Sequence, residues 1–110
     1  MKQYQIDGFS LRDYLKLKAY LDEHLEASPL GGIYWLKLDE KLLTPIQKDH
    51  TSCHPHLFAL MLEETYLSCE FLVRIKRNIK CDCMGHATRE QREWLMDQAD
   101  AILEKLGIQP

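Results

Sequence analysis

The chain reads as a single α+β domain, an antiparallel sheet of three to four strands with N- and C-terminal helices packed on one face. Three observations predict this. A helical stripe bounded by stop signals lies near the start. Two apolar segments with strand character sit together in the middle. A capped amphipathic segment closes the chain. At 110 residues with 45% hydrophobic and 28% charged content, the sequence has enough apolar material for one core without cross-links.

Ser10 is placed to cap the first helix, with Asp13 adding negative charge to its first turn. Leu11, Tyr14, Leu15, Leu17, Leu21 and Leu25 recur at helical spacing, and Ser28, Pro29, Gly31 and Gly32 end the pattern. The helix is therefore expected over residues 10 to 26. "IYWLKL" then predicts a short strand, and "LLTPI" a return strand ended by Pro45. Residues 47 to 55, "QKDHTSCHP", read as a polar loop.

"HLFALMLE" (56 to 63) is continuously apolar, as suits a strand covered on both faces. "YLSCEFLVRIK" (66 to 76) alternates, with Leu67, Cys69, Phe71, Val73 and Ile75 inward. A hairpin turning at Glu64-Thr65 pairs positions whose numbers sum to 129. The second strand can run on through residues 77 and 78 toward Cys83 with a bulge. "TREQ" from Thr88 is a capping box opening the last helix. Leu95, Ala99, Ile102, Leu103 and Leu106 form its buried stripe, and Gly107 is its C-cap. The order is α-β-β(β)-β-α.

The net charge of −3 and pI of 5.9 argue against nucleic acid as a partner. The longest apolar run, "LFALML", falls far short of the about 20 residues a membrane-spanning helix needs. The N-terminus carries no secretory signature, which makes the cytoplasm the expected location and reduced thiols the expected state of the four cysteines.

Chemistry concentrates in "IKCDCMGHAT" and "DHTSCHPH". In an extended segment Cys81 and Cys83 face one way, with Cα atoms roughly 6.5–7 Å apart. That separation suits two thiolates on one soft cation better than a relaxed disulfide. His86 is a candidate third ligand, and His50, Cys53 and His54 are candidates for the fourth, with zinc as the candidate metal. The assumed register brings residues 48 to 50 opposite 79 to 81, which would join the two clusters. Cys69 reads instead as core filler.

Three functions follow. The first is an interaction or ligand-binding domain without evident catalytic machinery, self-associating or binding a protein partner. Its interface would use the sheet face carrying Ile33, Trp35, Leu57, Ala59 and Met61. The second is a zinc-binding Cys/His domain. The third, a thiol redox protein, is disfavoured by Asp82, whose charge between the thiols opposes thiolate formation.

Overall fold

The computed structural model describes residues 2 to 75 and 81 to 109. It is an α+β domain built on a five-stranded antiparallel sheet, one to two strands larger than the sequence predicts. The strands are β1 (Gln3–Asp7), β2 (Glu26–Ala27), β3 (Ile33–Lys37), β4 (Leu57–Leu62) and β5 (Tyr66–Glu70), in the spatial order β1-β5-β4-β3-β2. The helices are α1 (Leu11–His24), α2 (Pro45–Asp49) and α3 (Arg89–Leu106). A separate small ribbon pairs β6 (Leu72–Val73) with β7 (Gly85–His86).

Both long helices begin as their sequences imply. Ser10 and Asp13 make a reciprocal capping box on α1, and Thr88 and Gln91 make one on α3. Gly107 ends α3 at φ 71, a left-handed cap that costs glycine no Cβ clash. The buried stripe of α1 is narrower than expected. Leu17 and Leu21 are fully buried, but Leu11 and Leu15 stand in solvent, since at about 100° per residue they fall outside the sector of Leu17 and Leu21.

The inward face of the sheet carries Tyr4, Ile6, Tyr34, Leu36, Phe58, Leu60, Leu62, Leu67 and Cys69, and α1 and α3 close over it. Phe58, Leu60, Leu67 and Cys69 are at most 1% exposed, so this layer is the core. Each helix is also tied to a strand by a phenol. Tyr34 donates to Asp22 of α1 at 2.5 Å, and Tyr4 donates to Asp100 of α3 at 2.6 Å.

Four local expectations change. Gln3–Asp7 forms the edge strand β1, because its register places Tyr4 and Ile6 on the core opposite Cys69 and Leu67. "LLTPI" is not a strand: Thr44 caps α2, and Pro45 occupies the first helical turn, where its missing N–H costs nothing. The expected loop over residues 47 to 55 is instead the end of α2 followed by a 3-10 turn at Thr51–Cys53. The long second strand stops at Glu70. The Phe71 amide still follows the β1 register, donating to the Lys2 carbonyl, but its own carbonyl turns away to accept from the Ala87 amide.

The predicted hairpin register holds where it was anchored. Leu60 pairs with Cys69, Met61 with Ser68 and Leu62 with Leu67, each summing to 129. Beyond Phe71 the pairing slips by two, to Leu57 with Arg74. A slip of two keeps every side chain on its original face. The basic residues Lys76, Arg77 and Lys80 lie outside the described residues.

Candidate metal centre

Two chain segments far apart in sequence converge ahead of the start of β4. The first runs from α2 into the 3-10 turn and carries His50 and Cys53. The second is the turn leading into β7, closed by the Met84 amide donating to the Cys81 carbonyl at 3.0 Å. Cys81 and Cys83 therefore sit on a tight turn and not on the extended strand that the sequence reading assumes.

One ligand atom from each of His50, Cys53, Cys81 and Cys83 lies within 4.8 Å of the other three. The Cys53 and Cys81 sulfurs are 3.7 Å apart. That distance excludes a disulfide, whose sulfurs are about 2.05 Å apart. It matches the edge of about 3.8 Å that follows from tetrahedral zinc with Zn–S bonds of about 2.3 Å. His50 Nδ1 is 2.9 Å from Cys81 Sγ, a hydrogen-bond distance and shorter than a tetrahedral S···N edge. All four cysteines are free thiols.

The electrostatics focus on one sulfur. The Cys83 backbone amide donates to Cys81, and the Cys83, His50 and Cys53 side chains add their hydrogen bonds. Together they lower the Cys81 thiol to about 7 against a desolvation effect of opposite sign. Cys83 moves up to about 12, chiefly through burial and then through its bonds to Cys81 and Cys53. Cys69, in the core, is pushed to about 12 by burial and takes no part in the cluster.

The other predicted ligands lie elsewhere. His54 directs Nε2 to the Gln47 carbonyl at 2.8 Å, which positions the 3-10 turn. His86 is exposed on β7 opposite Leu72 and outside the cluster, whose histidine is His50. Of the predicted interface residues, Ile33, Trp35, Ala59 and Met61 line an outer-face cleft of about 450 Å³ together with Leu30. Leu57 is 3% exposed and does not contribute to that surface.

The sequence reading missed the polar frame around the centre. Gln47 is 5% exposed, and its amide donates to the Cys83 carbonyl at 3.0 Å. Its Oε1 accepts from the Thr44 amide and from Gln91 Nε2, both at 3.0 Å. Gln91 also donates to the Leu42 carbonyl and accepts from the Thr88 amide. Two T-x-x-Q capping boxes, one on α2 and one on α3, are thus interlocked through their glutamines and grip the ligand turn. "TPIQ" was the available signal. His56 is also buried beside His54, with ring centroids 5.1 Å apart and no hydrogen-bond partner for its ring among the described residues. Burial, then His54 and His50, lower its pKa.

Against protein-family models, curated proteins and solved structures, the chain has no match. The donor set defines the class that can be stated: an α+β domain with a His/Cys3 cluster able to hold a metal ion.

Proposed function

We propose that this protein is a zinc-binding domain in which His50, Cys53, Cys81 and Cys83 form a closed structural site. The observation that carries the reading is the convergence of four soft ligand atoms from two distant segments within 4.8 Å. Three thiolates and one imidazole select zinc over calcium or magnesium, which prefer oxygen. Four protein ligands also fill a tetrahedral shell, whereas a catalytic zinc keeps one position open for water or substrate. The site would clamp the turn before β7 to the end of α2.

The test is metal content and thiol accessibility in protein purified without added metal. One zinc per chain, with three thiols that react only after chelation or unfolding, is the expected result. Substituting cobalt should produce a sulfur-to-cobalt charge-transfer band that Cys53→Ser weakens. Metal-free native protein that takes up neither zinc nor cobalt would overturn the proposal.

A second reading, self-association through the outer sheet face, is favoured by one observation. Leu30 is 88% exposed and Met61 37% exposed beside Ile33 and Trp35. At its rim Arg74 is paired with Glu70 through two bonds of 2.6 and 3.2 Å. Two copies meeting here would not oppose unpaired like charges. Sedimentation of Trp35→Ser against the parent tests this reading, and a parent that remains monomeric at millimolar concentration would refute it.

A further inference from the structure

A second cleft, of about 300 Å³, lies where β7, the start of α3 and the N-terminus meet. Its lining residues are Lys2, Phe71, His86, Ala87 and Arg92. Backbone hydrogen bonds build it: the Phe71 amide to the Lys2 carbonyl at 3.1 Å, and the Ala87 amide to the Phe71 carbonyl at 3.0 Å. Arg92 Nη1 donates to the Ala87 carbonyl at 3.0 Å, which orients the guanidinium at the cleft.

The charge of this lining is one-sided. Lysine, arginine and histidine are present with no aspartate or glutamate, in a chain whose net charge is −3. Lys2 and His86 have no side-chain hydrogen-bond or ion-pair partner among the described residues. The positive end of the 18-residue α3 opens beside them, its N-cap Thr88 following Ala87 directly. Phe71 and Ala87 supply an apolar wall. The volume, at the small end of ligand pockets, suits a molecule of few atoms.

We infer that this cleft binds a small oxyanion carried on a flat apolar group, with Lys2, His86 and Arg92 facing the anion and Phe71 facing the apolar part. Arginine and lysine donate charge-assisted hydrogen bonds to phosphate or carboxylate oxygens, and the aromatic ring discriminates against the bare ion. The inference is independent of the metal centre, since it uses none of the four ligands.

The test is an amide-resolved NMR titration of the full chain, in its as-purified metal state and at low ionic strength. The probes are phenyl phosphate, benzoate, inorganic phosphate and phenol. Phenyl phosphate should shift the amides of Phe71, His86, Ala87 and Arg92 and bind about tenfold more tightly than inorganic phosphate. Benzoate in place of phenyl phosphate as the tighter ligand would assign a carboxylate to the same site. The Lys2→Gln/His86→Gln variant changes only exposed side chains and should weaken binding by about tenfold. Arg92→Lys keeps the charge, loses the fork and should weaken it less. Phenol binding as well as the anions, undiminished binding in the double variant, or shifts confined to other surfaces would each overturn the assignment.

Discussion

At the scale of single residues, Cys69, Cys81 and Cys83 differ in thiol acidity although they share one side chain. Cys81 collects donors from Cys83, His50 and Cys53 and titrates near 7, while burial holds Cys69 and Cys83 near 12. Because the thiolate is the nucleophile, iodoacetamide at pH 7.5 should label Cys81 first in metal-free protein. Cys69 should stay unlabelled until the chain unfolds, and peptide mapping by mass spectrometry reads the order. Early labelling of Cys69 would contradict the described core. Gln47 offers a second residue-level test. Gln47→Ala leaves the Cys83 carbonyl and the Thr44 amide without that partner, and Gln91 Nε2 with the Leu42 carbonyl alone. Urea unfolding should show a loss of about 2–4 kcal/mol. Competition against a chromophoric chelator should show zinc affinity reduced about 10–100-fold, the usual effect of losing a group that orients metal ligands.

At the scale of elements, the two phenol–carboxylate bonds fix each helix against its strand. Tyr34 is raised to about 12 by burial first and by Asp22 second, and Tyr4 to about 12 chiefly by its hydrogen bond to Asp100. A folded-state pKa above the unfolded value of about 10 means the protonated phenol is favoured by folding. This stabilisation is complete below about pH 10 and disappears as pH rises toward 12. Tyr4→Phe/Tyr34→Phe should therefore be less stable than the parent at pH 8, and the two unfolding curves should converge by about pH 12 in a circular-dichroism series. A constant difference across that range would show that the bonds contribute through packing alone. Element boundaries were the least legible part of the chain. β1 is too short and polar to announce itself, since only pairing with β5 turns Tyr4 and Ile6 toward the core. "LLTPI" carries strand formers, but the Thr44 cap and the proline at the first turn outweigh them.

At the scale of the molecule, the core and the candidate metal centre are separable. Phe58, Leu60, Leu67, Leu17 and Leu95 are buried between sheet and helices without help from the cluster. A domain of this length sustains such a core, so chelation should leave far-ultraviolet circular dichroism near native at 20 °C. It should still lower the melting temperature. Metal at about a thousandfold above its dissociation constant adds about 4 kcal/mol, which corresponds to at least about 10 °C for a domain of this size. Restored zinc should restore the transition. An unchanged melting temperature would show that the cluster clamps nothing.

Features that depend on neighbours close along the chain are legible without the fold. Ser10, Thr88 and Gly107 mark helix ends because caps act within four residues, and the alternation of residues 66 to 70 orients β5 because a strand has period two. The sequence also named Cys53, Cys81 and Cys83 and drew their segments together, although the register used for this holds at Leu60–Cys69 and slips by two at Leu57–Arg74. Long-range packing selects which histidine joins them. His50, His54 and His86 carry the same ring in similar polar surroundings, and choosing among them depends on turns fixed by distant contacts. Gln47 and Gln91 lock α2 and α3 around the ligand turn, His54 is drawn to the Gln47 carbonyl, and β7 carries His86 away to pair with Leu72. Each of those interactions spans a fold-level distance or competes with one that does, and no local pattern encodes the outcome.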